Sequence, residues 1–241
     1  MYFGSWRNIV TYALICAAIT ACAYRPNSGR GDIDNPVTRK VSWYSYLDGS
    51  DIRENCQNGG PDQYRLVYNG QYEKQLRSYE LVAQSDGTAR LIARAAGDQN
   101  AFNVTLFSPE DAFGPWRWQK SESTITSAAF QQFRTLLAQS GFGEKNKKGK
   151  RLYSRDFYWI AVGCESGSIR FQTWVAAKDE FTHIQFKDFL LAQDGTKLPF
   201  REPVPVFDNQ RRPHINKAND NVEPIFVLTV EQNGLGGITN F

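Results

Sequence analysis

A hairpin pattern around Ser166-Gly167 constrains the fold of this chain more than any other sequence feature. Ser166-Gly167 suits a two-residue turn. In the stretches on both sides of it, successive side chains alternate between two faces, as they do in a strand. With this turn, Trp159 lies opposite Trp174 on one face. The other face collects Tyr158, Ile160, Val162, Cys164, Ile169, Phe171, Thr173 and Val175. Because side chains alternate with a period of two, the pattern predicts that this second face belongs to a core.

A second hairpin is predicted earlier, where residues 72–83 and 88–96 flank Ser85-Asp86-Gly87. If Asp86-Gly87 forms a two-residue turn, Tyr79 opposes Arg94 and Leu81 opposes Ile92. The other face then carries Leu76, Ser78, Glu80, Val82, Leu91, Ala93 and Ala95. We expect this face to be the core side, where the carboxylate of Glu80 needs a partner.

Residues 124–139 change to a helical period, and Gly141 stands where a helix would end. Further strands are expected at 41–47, 63–69, 101–107 and 225–230, a short helical turn at 51–56, and a loop at 108–123. The fold class is therefore α+β. We expect an antiparallel sheet of hairpins at about 62–107 and 151–178, joined by the strand at 225–230, with one main helix packed on a face.

The first 22 residues have the features of an export signal. Arg7 is the only charge there, an apolar run follows it, and the segment ends in small residues. The sequence Ile19-Thr20-Ala21-Cys22 resembles the lipobox of bacterial lipoproteins. That resemblance implies cleavage before Cys22 and a lipid on this cysteine. Ala23 stands where Asp commonly retains such proteins in the inner membrane, so the resemblance favours a periplasm-facing anchor in the outer membrane.

Two alternatives to lipidation remain open. Ala21-Cys22-Ala23 also fits the small-x-small site of an ordinary signal peptidase, which would release a soluble periplasmic protein. In the second alternative, the signal segment is not cleaved and anchors the protein in the membrane. Its apolar stretch of about 15 residues is, however, shorter than the roughly 20 residues that span a bilayer.

The remaining chain is predicted to be a single folded unit. Residues 23–39 are poor in apolar side chains and are expected to form a flexible tether, 40–233 a single α+β domain, and 234–241 a loose, Gly-rich tail. Removing residues 1–22 deletes one arginine, so the formal charge falls from +3 to +2. This near-neutral balance argues against a nucleic-acid partner.

Two cysteines, Cys56 and Cys164, follow the signal segment. An even count in an oxidising envelope suggests one disulfide, and two buried free thiols are the alternative. The cysteines and histidines give no metal-binding signature, because the only histidines are His183 and His214 and no CxxC or HxxxH spacing occurs. No cofactor-binding motif is present in the sequence.

The stretch 51–79 is dense in polar side chains that could recognise a ligand. The candidate ligand-binding residues are Asp51, Arg53, Glu54, Asp62, Tyr64, Arg65, Tyr68 and Arg77. Arginine forks and tyrosine hydroxyls could line a groove for a polar ligand, or the same residues could be the solvated faces and ion pairs of a meander. A lysine-rich loop at 144–151 could contact anionic headgroups or remain a solvated loop.

No sequence signature of catalysis is apparent, since there is no G-x-S-x-G motif and neither histidine has a recognisable partner pattern. We therefore expect a non-enzymatic, lipid-anchored binding or assembly module that meets an envelope protein or glycan. The alternative is a hydrolase that cleaves envelope polymers with paired carboxylates. A pocket with two facing acids would favour the hydrolase.

Overall fold

The computed structural model describes residues 33–34, 36–72, 74–97, 118–176, 180–205 and 226–239. Its strands are β1 (Gln63–Gly70), β2 (Leu76–Ala83), β3 (Ala89–Ala96), β4 (Gln119–Ile125), β5 (Arg151–Tyr153), β6 (Phe157–Glu165), β7 (Ser168–Val175), β8 (Val227–Glu231) and β9 (Gly234–Thr239). Six of them form one sheet in the order β4-β3-β2-β1-β6-β7, and three form a second in the order β5-β8-β9. Every pairing in both sheets is antiparallel.

The helices are α1 (Pro36–Asp48), α2 (Ser50–Gln57), α3 (Ser127–Gln139) and α4 (Lys187–Ala192), with a 3-10 turn at Glu180–His183. The α+β prediction is therefore confirmed in its broad form. The prediction of one main helix is not confirmed, because α1 and α3 both contain 13 residues.

The predicted strand at 41–47 was wrong, because these residues lie in helix α1. Trp43, Tyr46 and Leu47 have the spacing of one helical face, and all three are buried. Burial of that face outweighs the strand preference of the aromatic residues. Helix α1 begins at Pro36, within the predicted tether of 23–39, and Ile33 is also buried. Residues 23–32 lie outside the described residues.

The hairpin around Ser166-Gly167 is confirmed in its register. Trp159 pairs with Trp174 and Cys164 pairs with Ile169, as the two-residue turn requires. Ser166 and Gly167 have φ angles of 49° and 74°, the positive values of a type I′ turn. The turn therefore fixes the register of β6 against β7.

The register of the earlier hairpin was wrong by one residue. Leu81 pairs with Leu91 and Tyr79 with Ala93, because the loop spans three residues and ends with Gly87 at a φ of 83°. An odd loop length moves Leu91, Ala93 and Ala95 to the face opposite Glu80. The predicted core face thus mixed residues from two sides of the sheet.

The predicted loop at 108–123 contains the start of β4, which pairs with β3. The strand expected at 101–107 lies outside the described residues. At the other end of the chain, β8 does not join the large sheet but lies between β5 and β9. The prediction of a loose tail at 234–241 was wrong for residues 234–239, which form β9. Pairing with β8 and a hydrogen bond from the Leu235 amide to Asp48, at 2.8 Å, hold this glycine-rich strand.

The large sheet carries a hydrophobic core on each face. One core packs against α1, α2 and the second sheet, and includes Trp43, Leu47, Ile52, Val67, Ile160, Phe171 and Leu228. The other packs against α3 and α4, and includes Tyr64, Tyr68, Leu81, Phe133, Trp159, Trp174 and Leu190. Because both faces are covered, most positions of β1 and β6 are buried.

Two features of the fold were predicted correctly from short signals. Helix α3 ends at Gln139, as predicted, but it begins at Ser127, three residues after the predicted 124, because Thr124 and Ile125 belong to β4. The Thr126 hydroxyl accepts from the Ala129 amide at 3.2 Å. Gly141, two residues after the helix, has a φ of 84° and donates to the Ala138 carbonyl, as in a helix C-terminal cap. The disulfide between Cys56 and Cys164 is also confirmed, and it joins α2 to β6 across a Cα–Cα distance of 5.6 Å.

Candidate functional site

The eight candidate ligand-binding residues from 51–77 do not form one site. Successive residues of a strand point to opposite faces, so Arg65 lies on the α1–α2 side while Tyr64 and Tyr68 lie on the α3 side. Glu54 is exposed on α2. Their closeness in sequence therefore does not bring them together in space.

Asp51 and Arg65 belong to a buried ion network between the sheet and the first two helices. Arg65 donates to both carboxylate oxygens of Asp51, and its Nε lies 3.4 Å from Glu80. Glu80 also accepts from Arg94 at 2.9 Å and from the Tyr46 hydroxyl at 2.6 Å. The predicted need of Glu80 for a partner is thus confirmed.

The charge state of Glu80 does not suit a hydrolase. Desolvation opposes ionisation, but the charges of Arg65 and Arg94 and the hydrogen bond from Tyr46 outweigh it and lower the pKa of Glu80. A carboxyl group that protonates a leaving group needs a raised pKa. Because Asp51 and Glu80 are both held by Arg65, this network stabilises the fold and gives the hydrolase alternative no support.

Tyr68 and Arg77 attach the segment 194–201 to the other face of the sheet. Arg77 donates to Asp194 at 2.5 Å and also to the carbonyl of Leu198. The Tyr68 hydroxyl donates to the carbonyl of Arg201 at 2.6 Å. Burial raises the pKa of Tyr68, so this hydroxyl stays a donor at neutral pH. These candidates therefore serve an internal connection.

Asp62 and Tyr64 contribute to the end of the β6–β7 hairpin. Asp62 accepts from the Ser166 amide at 2.7 Å, and the Tyr64 hydroxyl donates to Glu165 at 3.2 Å. Arg134 of α3 lies 2.8 Å from Glu165. Their role is to join β1, α3 and the turn, and neither faces an open cleft described below.

Arg53 differs from the other candidates because it lines a surface groove. Its Nε donates to the Asp48 carbonyl at 2.9 Å and its Nη2 to the Asn233 carbonyl at 2.8 Å. These bonds connect α2 to the turn between β8 and β9. The cleft beside this connection has a volume of about 510 Å³.

This cleft is one of three adjoining clefts, which together we name the polar groove. A second, of about 370 Å³, lies against the start of β7 and shares Gln232 and Asn233 with the Arg53 cleft. The third, of about 440 Å³, lies between the end of α3 and β7 and shares Glu144 and Lys145 with the second. The groove therefore continues along the outer side of β7 to the β8–β9 turn.

The lysine-rich loop forms one wall of the polar groove, and Asn146 fixes it. Its side-chain nitrogen donates to the Phe171 carbonyl at 2.7 Å, and its side-chain oxygen accepts from the Thr173 amide at 3.1 Å. Lys150 donates to the Thr173 carbonyl at 2.9 Å and pairs with Glu180 at 2.5 Å. These contacts occupy outward-facing backbone groups of β7 and hold the loop in place.

The end of α3 forms the opposite wall of the third cleft. The Trp174 indole donates to the Ser140 carbonyl at 2.7 Å, and Gln172 donates to the Gly141 carbonyl at 3.0 Å. The carbonyls of Ser140 and Gly141, directly after the helix, are therefore bound to protein donors. The side chains that line the three clefts are mainly amides, lysines and carboxylates, which suit hydrogen bonding to a polar ligand.

Large apolar side chains are rarely exposed on the part of the surface that the structure describes. Among these residues Val204 is the one exposed large hydrophobic side chain. Interfaces between proteins usually have an apolar, aromatic-rich centre.

Comparisons with protein-family models, with curated proteins and with solved structures found no match to this chain. In the described part of the chain, no helix has the length and apolar character needed to cross a membrane. Function is therefore inferred from the geometry and chemistry of the site itself.

Proposed function

We propose that this chain is a non-enzymatic, lipid-anchored envelope protein that binds an envelope glycan along the polar groove. The observation that carries the proposal is the continuity of three clefts lined by polar side chains. Adjoining clefts offer an extended polymer successive binding sites, whereas a compact small molecule would occupy only one of them.

A glycan suits the groove better than a protein partner does. Sugar hydroxyl groups donate and accept hydrogen bonds, and exposed amides such as Gln139 and Gln232 offer both functions. A protein partner would be expected to meet an apolar patch, and the described surface exposes little beyond Val204.

The anchor in this proposal is Cys22. It is supported by the lipobox-like Ile19-Thr20-Ala21-Cys22 and by the Cys56–Cys164 disulfide, since disulfides persist in oxidising compartments such as the periplasm. We place the protein on the periplasmic side of the outer membrane. Ordinary cleavage after Ala23 would give the alternative, a soluble periplasmic form.

The groove is tested by sedimentation of the full-length, detergent-extracted protein with purified cell-wall glycan. Gln232 is exposed where two of the clefts meet, so Gln232→Trp should obstruct the groove and reduce the co-sedimented fraction. Gln119→Trp is the matched control, because Gln119 is exposed on β4 at the other edge of the sheet. Equal binding by both variants would refute the groove.

The anchor is tested by incorporation of a radioactive fatty acid in cells. Cys22→Ser should abolish the label, whereas Cys16→Ser, within the same signal segment, should retain it. A labelled Cys22→Ser protein would show that this cysteine is not the attachment point. An unlabelled wild-type protein recovered in the soluble periplasmic fraction would favour ordinary cleavage.

A further inference from the structure

We propose that Lys145 and Lys147 form an anion-binding subsite in the polar groove and that its ligand is a phosphoryl group on the glycan. This inference rests on the groove of the proposed function and does not depend on the lipid anchor. Both lysines line the cleft of about 440 Å³ between α3 and β7.

The backbone between the two lysines is held in place before any ligand arrives. Asn146 lies between them, is 7% exposed, and bonds to both Phe171 and Thr173 of β7. The Asn146 side chain is directed to β7, whereas Lys145 and Lys147 are both exposed and line the same cleft. Lys145 and Lys147 can therefore approach one anion from the same side of the cleft, with little loss of backbone freedom.

The charge balance of this cleft favours an anion. Lys150 and Glu180 neutralise each other as an ion pair at 2.5 Å. Among the described residues, neither Lys145 nor Lys147 has an ion-pair partner, and Glu144 is the remaining carboxylate on the wall. Counting two lysines against one glutamate, the cleft keeps one net positive charge.

The end of α3 would oppose an anion if its carbonyl groups were free, because a helix C-terminus carries partial negative charge. The Ser140 and Gly141 carbonyls are bound by Trp174 and Gln172, so these acceptors already have donors. The ammonium groups of Lys145 and Lys147 and the carboxylate of Glu144 therefore set the charge of this part of the wall.

A phosphoryl group suits two lysines better than a carboxylate does. Lysine acts as a compact point charge and lacks the planar fork with which arginine matches both carboxylate and phosphate, so the charge of the ligand decides its affinity here. The cleft presents lysines and no arginine among its lining residues. A dianionic phosphate can also engage both ammonium groups at once.

The test is calorimetric titration of the full-length, detergent-extracted protein with a hexose phosphate, the corresponding hexuronate and the free hexose. We expect the hexose phosphate to bind about ten-fold more tightly than the hexuronate. The double variant Lys145→Gln/Lys147→Gln should weaken hexose phosphate binding by at least about ten-fold. Equal affinity for phosphate and uronate, or no loss in the double variant, would overturn the subsite.

Lys120→Gln is the matched control, since Lys120 is exposed on β4 at the far edge of the large sheet. It should bind the hexose phosphate as the wild type does, and an equal loss in this variant would also overturn the subsite. Lys145 and Lys147 are exposed, so thermal melting of the double variant should match the wild type.

A water-soluble short-chain phosphatidylglycerol separates the two sources of phosphate. Weaker binding of this lipid than of the hexose phosphate supports a glycan ligand, and tighter binding would overturn the assignment to a glycan. The outcomes also separate the two proposals. Loss of cell-wall sedimentation in Gln232→Trp, with phosphate binding unaffected by the lysine substitutions, would refute the subsite and leave the groove standing.

Discussion

Arg65 on β1 and Asp51 on α2 form a bidentate ion pair, with nitrogen–oxygen distances of 2.8 and 2.7 Å. Their side chains are 2% and 9% exposed. The same Arg65 nitrogen that donates to Asp51 also donates to the Tyr46 carbonyl of α1 at 3.0 Å. One guanidinium therefore holds both N-terminal helices against the sheet.

Removal of Asp51 should destabilise the fold strongly. Asp51→Ala leaves the buried Arg65 with less compensating charge, and we expect a loss of about 3–5 kcal/mol in the free energy of unfolding. Urea unfolding followed by tryptophan fluorescence measures it. Glu122→Ala is the control, because the Arg90–Glu122 pair is about half exposed and should cost at most about 1 kcal/mol. Equal losses would contradict the importance of burial.

The free energy of unfolding should decrease at acidic pH because of Glu80. Its pKa is lowered in the folded chain from the ordinary 4.5, so the ionised carboxylate adds stability at neutral pH. That contribution is lost as the pH falls below 4.5 and through the folded pKa. Glu80→Gln should be less stable at neutral pH and lose less on acidification. If the urea midpoints of the wild type and of Glu80→Gln changed equally with pH across this range, the lowered pKa of Glu80 would be contradicted.

Reduction of the disulfide should also lower stability. Cys56 and Cys164 are 108 positions apart, and closing a loop of this size restricts the unfolded chain by about 4–5 kcal/mol in the chain-entropy estimate. The double variant Cys56→Ser/Cys164→Ser should unfold at lower urea concentration than the oxidised wild type. Adding reductant during unfolding should lower the wild-type midpoint and leave that of the variant unchanged.

Arg77 should control how firmly the segment 194–201 stays on the sheet. Arg77→Met removes the ion pair with Asp194, whose side chain is 4% exposed, and the bond to Leu198. We expect a loss of about 3–5 kcal/mol and faster proteolysis within this segment, located by mass spectrometry. Arg90→Met is the control, since its pair with Glu122 is about half exposed and joins β3 to β4. Cleavage at an unchanged rate would contradict this role.

The parts of the fold that followed from the sequence were those fixed by local chemistry. The two-residue turn at Ser166-Gly167 gave the register of β6 and β7, and Gly141 marked the end of α3, whose start at Ser127 lies three residues after the predicted 124. Local signals misled where distant packing decides the outcome. The aromatic residues of α1 have strand preferences, yet they form a helix because Trp43 and Tyr46 are buried against the sheet.

The candidate site was harder to predict because strand geometry separates sequence neighbours. Tyr64 and Arg65 are adjacent in the chain but lie on opposite faces of β1. The polar groove instead combines the end of α3, the lysine-rich loop, β7 and the β8–β9 turn, which are far apart in sequence. The lysine run was visible as a charged loop, but its position beside β7 depends on the tertiary fold.

The bonds from Asn146, Lys150 and Glu180 to β7 have a consequence for self-association. A strand at the margin of a sheet can recruit a strand from another molecule when its backbone groups are open. Here side chains occupy those groups at Phe171, Thr173 and Val175. The lysine-rich loop and Glu180 thereby hinder polymerisation through β7.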